Sequence, residues 1–287
     1  MKQQAFKESF FKWLFFASAA TAIVAILLIC YFIFRNGIPF ILNYGIGNFL
    51  LGSAWSPSNT PASYGILPMI VGSIVITIGA IVIGVPTGIF TSVFMVYYCP
   101  KSLYSFLKSA VNLMAAIPSI VYGFFGLQLL VPWIRTWGGN GMGVLTASLL
   151  LGIMILPTII SLSESAIRTV PQSYYTGSLA LGASHERSIF NAVLPAAKSG
   201  ILSAIILGIG RAIGETMAVI LVAGNQPIIP TGIFSGTRTM TTNIVLEMAY
   251  ASGQHRQALI ATSAILFVFI LIINGCFAYV KGKSNHD

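Results

Sequence analysis

Residues 199–224 read SGILSAIILGIGRAIGETMAVILVAG, a run long enough to cross a bilayer that holds Arg211 and Glu215 close to its middle. About 20 mostly apolar residues span the hydrocarbon layer as a helix. A charged side chain at the centre of such a helix costs roughly 2.5–3.5 kcal/mol on insertion scales, so it is kept there only when paired, hydrated or in use. At i and i+4, Arg211 and Glu215 lie on one helical face and can form an ion pair. Gly208, Gly210 and Gly214 surround them, and Gly210 with Gly214 makes a G-x-x-x-G step that lets another helix approach closely.

The same apolar character runs through the whole chain. Of its 287 residues 56% are hydrophobic and 7% charged, against roughly 25% charged in an ordinary soluble domain. This composition predicts an all-α integral membrane protein with six transmembrane helices, at about 13–34, 66–97, 105–133, 143–166, 199–224 and 257–280. Residues 1–64 form an N-terminal anchor helix with an outer loop, and 65–287 form the main transmembrane domain. The stretch from Trp13 to Phe34 is longer than the about 7–15 apolar residues of a signal peptide, so it reads as a retained anchor.

A net charge of +9 raises the question of nucleic acid, but the cations are scattered between spans rather than gathered in a patch. Lys2, Lys7, Lys12, Lys101, Lys108, Arg168, Arg187, Lys198, Lys281 and Lys283 fall on the side that holds both termini, and Arg35, Arg135, Arg238 and Arg256 on the other. That asymmetry predicts cytoplasmic termini and a cytoplasmic loop at 167–198. Pro118 in the third span removes a backbone donor and bends or interrupts the helix. Glu164 and Arg168, at i and i+4, read as an interfacial pair; Glu247, His255 and Arg256 read as a solvated outer loop, the alternative being a docking point for a binding protein. Cys30, Cys99 and Cys276 have neither paired spacing nor a neighbouring His, so no metal site is expected. KGKS at 281–284 lacks the first Gly of a nucleotide-binding loop, and the residues supply no motif for a resident cofactor.

The loop 167–198 has the punctuation of two short helices. Pro171 opens the first and Gly182 ends it in a left-handed turn; Ser184 caps the second, with Glu186 in its first turn, and Pro195 interrupts it. Ile189, Phe190, Val193 and Leu194 beside Arg187 then form a mixed apolar and charged surface suited to a groove in another protein, the alternative being an interfacial helix lying on lipid.

This elbow resembles the signature loop of bacterial ABC-importer permeases: Glu-Ala-Ala, three residues, Gly, nine residues, Ile, any residue, Leu-Pro. Thr176, Gly177 and Ser178 occupy the first triplet, followed by Gly182, Ala192 in place of Ile, Leu194 and Pro195; the leading Glu is absent. Residues AAIPSIVYGFFGL in span three and GRAIGETMAVILVAGN in span five are similar to the phosphate-specific importers, in particular to their PstC-type permeases. The resemblance implies a type I importer fold in the bacterial plasma membrane, and a second homologous permease subunit beside this one. It also implies two copies of a cytoplasmic ATPase that engage Gly182, Ala183, Ile189, Phe190, Leu194 and Pro195, and an external phosphate-binding protein. Arg211, Glu215 and Thr216 would then line the substrate pathway. The physical case is independent: a guanidinium offers five donors in a fork that matches an oxyanion, and it keeps its proton inside a membrane. Glu215 would accept a hydrogen bond from protonated phosphate or would only hold Arg211. The alternatives are a permease for another oxyanion, an ion-driven secondary transporter, which usually has more spans and an inverted repeat, and a membrane enzyme, for which no nucleophile or metal cluster is evident.

The assigned orientation has a direct check. In a background lacking the three native cysteines, single cysteines at Ser184 and Ser235 should react with an impermeant thiol reagent from opposite sides of the membrane. Labelling of both from one side would overturn the topology.

Overall fold

The computed structural model describes residues 2–284, and the side chains of 2–7, 277–278, 280–281 and 283–284 lie outside that description. Lys2, Lys7, Lys281 and Lys283, which enter the charge asymmetry, are among them. Helix α1 (Lys2–Tyr44) leads to a short α2 (Ile46–Leu51) and an antiparallel hairpin in which β1 (Trp55–Ser56) pairs with β2 (Ser63–Tyr64). Helix α3 (Leu67–Val93) continues through a wider π-wound segment, Phe94–Tyr98. The predicted third span is divided among α4 (Lys101–Ala116), α5 (Ser119–Phe125), a π segment Gly126–Leu130 and α6 (Val131–Arg135). After α7 (Val144–Thr169) come α8 (Gln172–Ala180), α9 (His185–Ser188), a π segment Ile189–Val193 and α10 (Leu194–Ala196). Then follow α11 (Lys198–Gly214), α12 (Met217–Val222), α13 (Met240–Met248) and α14 (Gly253–Ser284).

Among the described residues four helices are long and apolar enough to cross a membrane, and two bent helix pairs raise the number to six if each pair is one span. The protein is thus all-α in its membrane part, as its composition predicts. The centre is the pair α3 and α7, which run parallel: Gly79 faces Ser148, Gly84 faces Ile155, and Gly88 faces Ile159. A Cβ at Gly84 would stand 2.8 Å from the Ile155 side chain and 2.9 Å from the Gly152 carbonyl, so only glycine permits this approach. Helix α11 packs antiparallel on α7, with Gly200 against Ala166 and Gly208 against Ile159. The shared core of Ile76, Leu150, Met154, Ile155, Ala218 and Val222 ties both helices to the broken segments.

Two readings are made definite and one needs correction. Residues 36–65, read as an outer loop, fold as packed and mostly helical structure. Helix α1 runs on through Pro39 to Tyr44, and Phe40, Phe49, Trp55 and Tyr64 pack on Met69, Met240 and Leu259 as a second core at the end of the bundle opposite the elbow. The apolar side chains of this segment recover burial that a solvated loop would forgo. Of the two outcomes expected at Pro118, a bend or an interruption, the third span shows the interruption: α4 and the segment from Ser119 to Arg135 meet at 100°. Ile117 and Pro118 are both extended there, since a proline disfavours the helical conformation in the residue before it and donates no hydrogen bond itself. Glu247 is not in a solvated loop: it is buried, and Arg238, Trp55 and His255 surround its carboxylate.

Glu164 does pair with Arg168, at 2.9 Å, but it is only 2% exposed and serves a wider purpose. Lys108 and Tyr104 on α4 also bond its carboxylate, at 2.8 and 2.6 Å, so one buried anion fastens the bent-away helix to α7. Its three donors neutralise and satisfy a group that would otherwise be expensive to bury. Glu164→Gln keeps the shape and loses the charge. It should lower the stability of the folded chain by about 2 kcal/mol, the scale of lost charged hydrogen bonds, in reversible unfolding in mixed detergent; unaltered stability would show that α4 is held by its apolar face alone.

Candidate functional site

Two features stand out against the scaffold: the elbow after α7, and the break between α11 and α12. At the elbow, α8 ends at Ala180 and the chain reverses through Gly182, whose φ is +84°. The Cβ position there meets nothing within 4 Å, so the preference for glycine comes from the backbone and not from crowding. Ser184 caps α9, its Oγ accepting from the Arg187 N–H at 3.3 Å. The Glu186 carboxyl lies below the usual carboxylate range because its own backbone N–H and the Ser184 side chain stabilise the charged form. Tyr175 on α8 and His185 on α9 meet across the turn, with Oη and Nδ1 2.6 Å apart. These local bonds make the loop a formed element, as Pro171, Gly182 and Ser184 predict.

The elbow's faces are not as expected. Ile189 and Val193 are fully buried inside this chain, against Val93, Ile167, Ala197 and Ile201, and so are not offered to another protein. Pro195 does not end the second limb, which continues to Ala196 before the chain bends by 71° into α11. Leu181 projects at the tip, 91% exposed, with Phe190 and Pro195 also exposed and Ala183 and Leu194 half-buried. The surface available to a partner is therefore centred on the Gly182 turn.

At the second feature, the predicted ion pair is absent. Helix α11 stops at Gly214, Glu215 is extended with ψ 132°, and α12 starts at Met217, so Arg211 and Glu215 do not share one helix. Glu215 instead turns toward α12, its Oε1 accepting from the backbone N–H groups of Thr216 at 3.1 Å and Ala218 at 3.2 Å. These are donors that the start of any helix leaves unsatisfied. The carbonyls at the end of α11 are met by hydroxyls: Thr216 Oγ1 donates to Gly214 at 3.2 Å, and Thr241 Oγ1 donates to Glu215 at 3.1 Å. A membrane segment with a break in its helix needs such substitutes, because lipid supplies no hydrogen bonds to the freed backbone groups.

Arg211 is exposed on this chain, and among the described residues it makes no ion pair. Its Nη1 donates to Thr158 Oγ1 on α7, at 3.4 Å. The positions of Gly210 and Gly214 beside it are open, with nothing within 4 Å of a Cβ. The guanidinium therefore has most of its donors unengaged on an open, glycine-bordered face, the arrangement that suits binding of an oxyanion. Thr158 and Thr241 carry no signal in the sequence: Thr158 is one hydroxyl in a largely apolar stretch, Thr241 one of several in the polar run 235–243, and only the packing brings each to the break. Among the described residues no group of three or more His, Cys, Asp or Glu side chains could hold a metal ion.

Residues 84–284 match the family described as binding-protein-dependent transport system inner membrane component. A probable ABC transporter permease of Bacillus subtilis, YqgH, is 36% identical over 267 residues, which cover 90% of this chain and 86% of the relative. The phosphate transport system permease protein PstC of Mesorhizobium japonicum is 33% identical over 255 residues, 81% of this chain and 77% of its own length. In structure, a chain of the bacterial alginate ABC transporter in complex with an alginate-bound periplasmic protein is similar at a TM-score of 0.64 and 16% identity, over 92% of both chains. A chain of the inward-facing methionine ABC transporter MetNI gives 0.56 at 20% identity, over 74% of this chain and 90% of that one.

The capping geometry separates the two charged residues by experiment. Glu215→Ala should lower the stability of the folded chain by about 1 kcal/mol, the usual cost of a lost cap, whereas Arg211→Gln should leave it nearly unaltered. Thermal unfolding in detergent reads both; equal losses would restore the ion pair.

Proposed function

Since this chain belongs to the family of binding-protein-dependent transport system inner membrane components, we propose that it is the subunit through which an ATP-driven importer moves inorganic phosphate across the plasma membrane. Its fold is that of a type I ABC importer permease. Phosphate is the substrate named for its PstC relatives. The observation that carries the site is Arg211, a guanidinium without a carboxylate partner on the open face beside a broken membrane helix. A planar fork of donors fits the oxygens of phosphate and stays charged at membrane depth. Glu215, held to the backbone of α12, leaves that charge largely uncancelled.

The family likeness and the open faces of the chain support the following partners. A second, homologous permease subunit closes the face bearing Gly210, Arg211 and Gly214, so that the pathway runs between the two. Residues 65–287 form the transmembrane domain, residues 1–64 an anchor and outer cap, and both termini lie in the cytoplasm with the elbow. Two copies of a cytoplasmic ATPase supply the hydrolysis, one of them receiving Leu181, Gly182, Ala183, Phe190, Leu194 and Pro195. Ile189 fixes the elbow from within: as the ATPase moves the tip, the cluster it forms with Val93, Ile167 and Ile201 carries the motion to α3, α7 and α11. A phosphate-binding protein delivers substrate to the opposite face.

The test is the complete complex in liposomes, with ATPase, second permease and binding protein present. Loaded with phosphate, it should hydrolyse ATP faster and take up substrate, and sulfate should do neither. Arg211→Gln should reduce phosphate uptake by roughly 10- to 100-fold, the equivalent of losing charged hydrogen bonds. Gly182→Val, forced into a conformation that costs roughly 1–3 kcal/mol, should lose uptake while the complex still hydrolyses ATP. Normal uptake by Arg211→Gln at equal abundance in the membrane would mean that substrate passes elsewhere.

A further inference from the structure

We propose that Glu247 and Thr241 are positioning residues for the Arg211 site, acting through helix α13 from the end of the bundle opposite the elbow. The inference rests on the reading of Arg211 as a pathway residue. Helix α13 has nine residues, too few to be stable by itself in water. Both its ends are fastened. At the start, Thr239 and Thr242 form a reciprocal capping box, and the Met240 N–H donates to Ser73 Oγ on α3 at 3.0 Å. Near the end, the buried Glu247 carboxylate takes Trp55 Nε1 on one oxygen at 2.9 Å and Arg238 Nη1 on the other at 2.5 Å; His255 Nε2 lies 2.8 Å from the first. Arg238 precedes α13, folds back along it to Glu247 and Asn243, and with its Nε bonds the Asn225 carbonyl just beyond α12.

One anion therefore joins the N-terminal hairpin, the segment after α12, α13 and the start of α14. What this rigid piece touches gives it a role. In its first turn Thr241 donates to the Glu215 carbonyl, at the break itself, and its hydroxyl lies 2.9 Å from Thr239 Oγ1, so the cap orients it. A carbonyl at the end of α11 has no partner in its own helix. The hydroxyl that satisfies it is delivered by α13, and α13 stays in place because Glu247 holds its other end. Arg211 is one helical turn before Glu215, so the direction of its guanidinium depends on where that break is pinned. Trp55, in the hairpin that precedes the matched family region 84–284, thereby becomes part of the support for the site.

The complete complex in liposomes tests this, with phosphate uptake measured per ATP hydrolysed. Thr241→Val keeps the shape and removes only the hydroxyl; it should lower the ratio roughly fivefold, the scale of one lost hydrogen bond. Thr241→Ser should restore it, which a packing role for the methyl group would not predict. Glu247→Gln should lower the ratio by a similar factor. The double variant Glu247→Gln with Thr241→Val should be no worse than the poorer single one, because both release the same contact. Trp55→Phe, which keeps an aromatic ring in the cap and drops one donor, should give a smaller loss in a fully folded chain. Thr241→Val with an unaltered ratio, or losses that multiply in the double variant, would overturn the proposal. Loss of uptake in Arg211→Gln together with unaltered Thr241→Val and Glu247→Gln would overturn this inference alone; normal uptake in Arg211→Gln would remove the pathway reading beneath it.

Discussion

A polypeptide crossing hydrocarbon must satisfy its own backbone, and the break at Glu215 and Thr216 is where this chain meets that demand without a continuous helix. Several of the groups freed by the interruption have an identified substitute. Glu215 Oε1 receives two N–H groups of the segment leading into α12, Thr216 serves the Gly214 carbonyl, and Thr241 serves the carbonyl of Glu215. Two of these partners are local to the break and the third comes from α13, so the set is complete only in the assembled fold. The break also frees Arg211 from the ion pair that an unbroken helix would impose, and so leaves a fixed positive charge facing the open side of the bundle.

The rest of the architecture holds that break between two formed ends. The parallel pair α3 and α7 packs closely through glycine, giving a scaffold against which α11 lies antiparallel. At one end the elbow is stitched by Tyr175 and His185 and sunk through Ile189 and Val193 into the tips of α3, α7 and α11. At the other, the segment from Phe40 to Tyr64 forms an aromatic cap over the starts of α3 and α14, with Glu247 at its polar centre. A displacement at either end reaches the middle through packed side chains, since close-packed interiors transmit strain rather than absorb it.

Buried carboxylates do comparable work in both halves. Glu164 ties α4 to α7 near the elbow, and Glu247 ties the hairpin to α13 and α14. Each anion has three partners, at least one of them cationic, which is how burial of such a group becomes tolerable. The geometric gain is that one side chain fixes several elements at once. A bundle whose apolar faces would slide easily against lipid and against one another is thereby given a defined register.

The amino-acid sequence by itself determined the class of fold, the approximate spans and the elbow, because these depend on local quantities: apolar run length, the φ preference of Gly182 and the capping chemistry of Ser184. It also singled out Arg211, since a cation within an apolar run is costly wherever the chain folds. It could not show that the helix stops at Gly214, for the run from Ser199 to Gly224 has helical character throughout and no proline marks the stop. Only the tertiary structure decided that, by supplying Thr241 from twenty-six residues further along the chain to satisfy the Glu215 carbonyl. The same holds for Glu247, which reads as a loop charge until Trp55, 192 residues away, is found against it. Local pattern sets what a segment can form; which of its polar groups find partners is settled by residues distant in sequence, and in a membrane that settles where a helix can end.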